Sequence, residues 1–131
     1  MNSNDLFWCA LTVYHEARGE SIRGQSAVVK VILNRADKKN KSVRDIVLAP
    51  YQFSCFNKGL LDPCVHIKDV RTFGDVMVVC SMAMEEWQSG SRLEGADHYF
   101  ALRGMPDGKP PTWAKAMTFI TEIGGHKFYR E

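Results

Sequence analysis

The chain has 131 residues with 17 basic and 15 acidic side chains, a net charge of +2, and it is 45% hydrophobic and 24% charged. That composition suits one packed domain, leaves little room for a second, and excludes a disordered chain. The mild positive balance lacks the clustered basic face of a nucleic-acid binder and is compatible with a weakly anionic polymer as a binding partner. No segment approaches the roughly 18 apolar residues that a membrane span requires.

Taken in chain order, the apolar spacing predicts a first helix over residues 5–18, with Leu6, Cys9, Ala10, Val13, Tyr14 and Ala17 on one stripe. Ser3 or Asn4 is its expected cap and Gly19 its stop. A second helix is expected over 25–36, with Ala27, Val28, Val31 and Ile32 inward, running into the solvated stretch 37–41. Ser42 reads as the cap of a short helix through Leu48, closed by Pro50. Residues 51–71 hold no sustained period and read as loop. A third long helix follows over 73–87, with Phe73, Val76, Met77, Cys80, Ala83, Met84 and Trp87 on one face and Gly90 after it. His98-Tyr99-Phe100 reads as a short extended segment, 103–111 as a Gly/Pro loop and 113–117 as a turn of helix. The last stretch, 118–129, reads as a hairpin turning at Gly124-Gly125 in a type I′ turn. The expected fold class is therefore α+β, mainly helical, a single domain over 1–131 with a small C-terminal β-hairpin.

One segment stands out chemically, Tyr14-His15-Glu16-Ala17-Arg18-Gly19-Glu20-Ser21. At 100° per residue Glu16 lies about 90° from the centre of the apolar stripe, on the border between core and solvent. Partial desolvation there disfavours the charged form of a carboxyl, the condition under which an acid keeps a proton to donate. The competing reading is a boundary residue paired with Arg18 or a lysine. Glu20 is a second candidate acid, with a cap or turn role as its alternative. The four cysteines, Cys9, Cys55, Cys64 and Cys80, lack the two-residue spacing of zinc sites and read as free thiols. His15-Glu16 lacks the second histidine of a helical zinc motif, since Gly19 occupies that place. A cluster of Cys55, Cys64 and His66 is too irregular to specify a metal, so neither metal nor cofactor is expected.

The same segment, followed by Gly24-Gln25-Ser26-Ala27-Val28 and Leu33-Asn34-Arg35, resembles the opening of the SleB-type cell wall hydrolases, the spore cortex-lytic enzymes and their phage relatives. The resemblance continues through Tyr51-Gln52-Phe53-Ser54, Asp97-His98-Tyr99-Phe100 and Pro111-Thr112-Trp113-Ala114-Lys115, and closes on Ile123-Gly124-Gly125-His126-Lys127-Phe128-Tyr129. These blocks follow the family's order and span residues 14 to 129. Two positions depart from the pattern: His15 stands where relatives carry a small glycine, and Phe100 where they often carry a histidine.

The resemblance implies a lysozyme-like fold with a groove for the glycan of peptidoglycan. It implies cleavage between N-acetylmuramic acid and N-acetylglucosamine, generally by lytic transglycosylation, with the catalytic glutamate at Glu16. A single proton shuttle serves that reaction. If Glu20 faces the same groove within about 10 Å, simple hydrolysis by two carboxylates becomes the alternative. Among the remaining blocks, Gln52 and Ser54 are candidates to orient the glycan, and Tyr99 and Trp113 to stack on sugar rings. His126 is a candidate groove contact. Asn34 and Arg35 read as structural. The expected partner is peptidoglycan, met by a monomer with no nucleic acid and no membrane insertion. Met1 to Asp5 carries no positive charge ahead of its apolar residues and does not read as a secretory signal. The expectation is therefore a cytoplasmic protein before release onto the wall, as in phage lysis. A non-catalytic peptidoglycan-binding or virion protein is the rival from another class.

Overall fold

The computed structural model describes every residue except Tyr51 and Leu60, and for Val65 only the backbone. Tyr51, the first residue of the 51–54 block, therefore lies outside the described residues. The helices are α1 (Ser3–Ala17), α2 (Ile22–Lys39), α3 (Val43–Leu48), α4 (Leu61–Val65) and α5 (Val70–Gln88). The strands are β1 (His98–Ala101), β2 (Thr118–Ile123) and β3 (His126–Arg130).

Local chemistry explains where the helix boundaries differ from the apolar pattern. α1 starts earlier because Asn2, not Ser3 or Asn4, caps it: the Asn2 side chain accepts the Asp5 N–H, and the Asp5 carboxylate accepts the Asn2 N–H. α2 starts three residues early because the Ser21 hydroxyl accepts the Gly24 N–H, so exposed Ile22 and Arg23 belong to its first turn. It ends at Asn40, whose left-handed backbone (φ 51°) turns its N–H back to the Ala36 and Asp37 carbonyls. Ser42 caps α3 as expected. The stretch read as loop instead contains a 3₁₀ turn over Ser54–Phe56 and α4, and α5 begins at Val70 because Asp69 accepts the Thr72 N–H. These are short or cap-driven features that leave no apolar period.

α2 is the centre of the molecule. Every residue from Ala27 to Arg35 is buried, because α1, α3 and α5 pack on one side of it and the sheet covers the other. The larger core joins Val13, Tyr14, Val28, Ile32, Phe53, Phe73 and Trp87; the smaller joins Ala27 and Val31 to Ile123 and Phe128. A single inward stripe on α2 was thus too narrow a reading: Val29 and Leu33 are buried as well. So is Lys30, whose ammonium donates to Glu86 Oε1 at 2.8 Å and to Ser91 Oγ at 3.0 Å.

The sheet is antiparallel in the order β1-β3-β2, with β3 central. The β2–β3 hairpin turns at Gly124-Gly125 as expected, but only Gly124 has a positive φ (+58°), which fits a type II′ turn and corrects the type I′ reading. In the register, Tyr99 pairs with Phe128 and Ala101 with His126, so these four face α2, while His98, Phe100 and Tyr129 face outward. Trp113, on a 3₁₀ turn over Thr112–Ala116, packs on that outer face against His98, Phe100 and Tyr129. No helix among the described residues is long and apolar enough to cross a membrane.

Asn34 ties the irregular segment before β1 to the core. Its amide donates to the Arg92 and Ala96 carbonyls, both at 2.8 Å, and its carbonyl accepts the Trp87 indole N–H at 2.8 Å. Truncation of Asn34 takes this partner from the buried Ala96 carbonyl and Trp87 indole N–H, whereas the Arg92 carbonyl keeps the Gly95 N–H. Asn34→Ala is expected to lower the unfolding free energy by about 3 kcal/mol, read as a lower denaturation midpoint with an unchanged m-value.

Candidate active site

α1 ends one residue after Glu16, so the helix places this carboxyl at the mouth of a cleft of about 570 Å³. The opposite wall is built by β1, by the start of β3 and by the loop after β1. Tyr99 and Ala101 come from β1, His126 from β3, and Gly104 and Met105 from the loop. The third wall is the turn after α3, which contributes Gln52, Phe53 and Ser54. Among the described residues Glu16 is the one carboxylate in this lining.

The groups around Glu16 are specific. Its Oε1 accepts the Cys55 N–H at 3.3 Å and the Ser54 hydroxyl at 3.4 Å. Both donors come from the 3₁₀ turn over Ser54–Phe56, seated by Phe53 and Phe56, of which Phe53 is only 3% exposed. Burial pushes the pKa of the Cys55 thiol up to about 12, and the Glu16 charge works in the same direction. The thiol stays protonated and is no nucleophile at neutral pH. Burial likewise raises the pKa of Tyr99, with Glu16 adding to the shift and Arg35 opposing it. Its phenol remains a neutral O–H donor in the cleft.

Arg35 braces the walls together. Its Nε donates to the Asp97 carbonyl at 2.5 Å, an Nη donates to Gln52 Oε1 at 3.2 Å, and the guanidinium lies 5.6 Å from the Phe53 ring centroid. Arg35, expected to be structural, is both a brace and part of the cleft lining. The available signal was a charged residue on a helix otherwise buried on every side.

The remaining candidates are sorted by the fold. Glu16, Gln52, Ser54, Tyr99 and His126 line one cleft, whereas Glu20 and Trp113 lie outside that lining. Trp113 belongs to the opposite face of the sheet and is engaged with other aromatics. Glu20 starts the α1–α2 corner and turns to the hairpin: its Oε1 accepts the Gly125 N–H at 3.4 Å and lies 3.6 Å from His126 Nδ1. Its Oε2 lies 3.6 Å from an Arg103 Nη. This carboxylate has 12% of its side chain exposed and is spent on the hairpin and the loop after β1.

The two departures from the family pattern are also placed. His15 donates from Nε2 to the Pro63 carbonyl at 2.7 Å and so pins α4 to α1, while Phe100 is buried and stacks on Tyr129. Asp97, His98 and Glu131 gather within 4.8 Å of one another, but the Lys38 ammonium already donates to Asp97 Oδ2 and His98 to Oδ1.

Thiol accessibility tests the assignment of Cys55. Cys64 is exposed, whereas Cys9 and Cys80 are buried and burial raises their pKa values, that of Cys80 to about 12. Titration of the folded protein with a disulfide reagent at pH 8 is expected to give one fast thiol, lost in Cys64→Ser, and three slow ones that react on denaturation.

Comparison with known proteins bears on the family and the fold. The family profile described as Cell Wall Hydrolase matches residues 19–129. The spore cortex-lytic enzyme of Bacillus subtilis (strain 168) is 30% identical over 129 residues, 97% of this chain. The chain spans 38% of the length of that relative. Among solved structures, the catalytic domain of the germination-specific lytic transglycosylase SleB from Bacillus anthracis superposes with a TM-score of 0.74 at 27% identity, covering 99% of this chain and 97% of that one. The catalytic domain of the Bacillus cereus SleB protein gives 0.72 at 28% identity, covering 99% and 92%. Motif blocks, fold and sequence agree: the chain belongs to the cell wall hydrolase family.

Proposed function

We propose that the chain cleaves the glycan strand of peptidoglycan between N-acetylmuramic acid and N-acetylglucosamine by lytic transglycosylation, with Glu16 as acid and then base. The observation that carries this reading is that Glu16 is the one carboxylate in the cleft among the described residues. Simple hydrolysis needs a second carboxylate to hold a water; Glu20, the nearest candidate in sequence, is turned away into the hairpin. Transglycosylation needs one proton shuttle only, because the sugar supplies its own nucleophile.

The steps follow from the atoms present. With Oε1 receiving the Ser54 and Cys55 donors, the acid's proton sits on Oε2, which accepts no hydrogen bond among the described residues. Glu16 gives this proton to the glycosidic oxygen as the C1–O bond breaks and the ring gains oxocarbenium character. The C6 hydroxyl of the same muramyl unit then bonds to C1 and returns its proton to Glu16, leaving a 1,6-anhydro end and a restored acid. The Ser54 and Cys55 donors hold the carboxylate in place between these transfers. Gln52, fixed by Arg35 through its carbonyl oxygen, keeps its amide N–H groups for the glycan. The neutral Tyr99 phenol donates from the opposite wall. The similarity to lytic transglycosylase catalytic domains supports this choice of reaction.

Two measurements test the proposal. Glu16→Gln, which keeps the size and the Oε1 acceptor, is expected to slow turbidity loss of purified peptidoglycan by about 10²–10⁴-fold. Equal rates would remove Glu16 from the chemistry, and binding without cleavage by the unaltered protein would favour a binding module. Mass spectrometry of the digest is expected to show muropeptide ends that resist borohydride; reducible ends would mean hydrolysis. Comparing spore cortex with vegetative sacculi as substrates identifies the wall on which the enzyme acts.

A further inference from the structure

The second glutamate of the motif is left without a chemical task, and the histidine beside it has a buried nitrogen without a hydrogen-bond partner among the described residues. His126 lines the cleft with 9% of its side chain exposed, and its Nδ1 is shut off from solvent with no hydrogen bond among the described residues. A buried polar atom of this kind is rare in a folded protein. The acceptor Glu20 Oε1 lies 3.6 Å away, a few tenths of an ångström beyond hydrogen-bond length. Contacts at such sites commonly tighten when the site fills.

Glu20 itself is held from three sides. The Gly125 N–H and the Arg103 guanidinium approach its two oxygens, and the α1–α2 corner fixes its backbone through the Ala17 carbonyl. At Gly124 a Cβ would lie 2.7 Å from Oε1, so a side chain there would push the carboxylate aside. The Tyr99 ring meets the imidazole edge-on, with centroids 5.1 Å apart, and fixes its plane.

We infer that Glu20 is a positioning residue: it holds His126 in the Nδ1–H tautomer, so that Nε2 presents a hydrogen-bond acceptor to a hydroxyl or acetamido N–H of the glycan in the cleft. A carboxylate on one ring nitrogen selects the tautomer and thereby the role of the other. The inference rests on the glycan-cleaving reading for the ligand of Nε2, but not for the pairing of Glu20 with Nδ1. The charged and titratable groups facing the ring are Glu20, Arg103, Glu16 and Tyr99. Burial lowers the pKa of His126 below its usual value; Glu20 and Glu16 oppose the shift and Arg103 adds to it. The imidazole is therefore neutral at neutral pH, as an acceptor at Nε2 requires. Acid converts both ring nitrogens to donors and removes the acceptor.

The experiment combines a tautomer measurement with pH profiles. Long-range ¹H–¹⁵N spectra of the folded wild-type protein at pH 7.5 are expected to show His126 protonated at Nδ1; protonation at Nε2 overturns the inference whatever the activity. That spectrum does not depend on turnover, so a correct tautomer in a protein that fails to cleave peptidoglycan would count against the proposed reaction alone. Glu20→Gln is expected to lower kcat/KM at least about tenfold, the scale of one lost charge-assisted contact. It should also move the acidic limb of the profile to lower pH, because removing the carboxylate makes the imidazole harder to protonate. Arg103→Ala removes the opposing charge and is expected to move the limb to higher pH. His126→Gln, which keeps an amide acceptor, is expected to retain more activity than His126→Ala. A merely structural Glu20 would give a lower Tm with neither shift in the limb, and identical limbs in folded Glu20→Gln and Arg103→Ala proteins would sink the proposal.

Discussion

The molecule is organised by a helix that has no solvent side to spare. From Ala27 to Arg35 α2 touches the helical core on one flank and the sheet on the other, so its polar residues must find partners inside the protein. They do so with the end of α5 and with the loops. Lys30 reaches Glu86 and Ser91, Asn34 satisfies Arg92, Ala96 and Trp87, and Arg35 joins Asp97 to Gln52. The irregular stretch between α5 and β1 is thereby locked in place, and β1 with it. Because Tyr99 and Ala101 sit on β1, the position of the cleft wall follows from the polar side of a buried helix.

The fold separates two carboxylates that the motif places four residues apart. Glu16 ends α1 and faces the open space, steadied through one oxygen by a turn packed on Phe53 and Phe56. Glu20 lies beyond the helix end and faces the hairpin. The helix stop at Ala17–Arg18 is what divides them: had α1 continued, the two carboxyls would lie on one face a turn apart. The break sends one to the open cleft and the other to the scaffold.

Much of this was legible because helical periodicity is a local signal. The stripe of α1 put Glu16 at the edge of the core, the caps at Ser42 and the Gly124-Gly125 turn were readable from residue chemistry, and the ordered motif blocks carried the family and the lysozyme-like fold. What was not legible depended on distant partners. The Gly125 N–H that Glu20 accepts lies 105 residues away, and Arg35 finds its Asp97 carbonyl 62 residues on. Trp113 looked suited to a sugar because aromatic side chains serve grooves and cores alike; only the strand register shows that it packs behind the sheet. Caps such as Asn2, Ser21 and Asp69 moved helix starts through single hydrogen bonds that leave no periodic trace.

The strand order has a bearing on how the protein is made. β1 and β2 each pair only with β3, and β3 is the last of the three to leave the ribosome. The helices can collapse on one another during synthesis, but the sheet has no middle until its final strand is translated, and His126 arrives with it. A nascent chain thus carries Glu16 more than a hundred residues before His126, and the cleft cannot be complete until β3 has been translated.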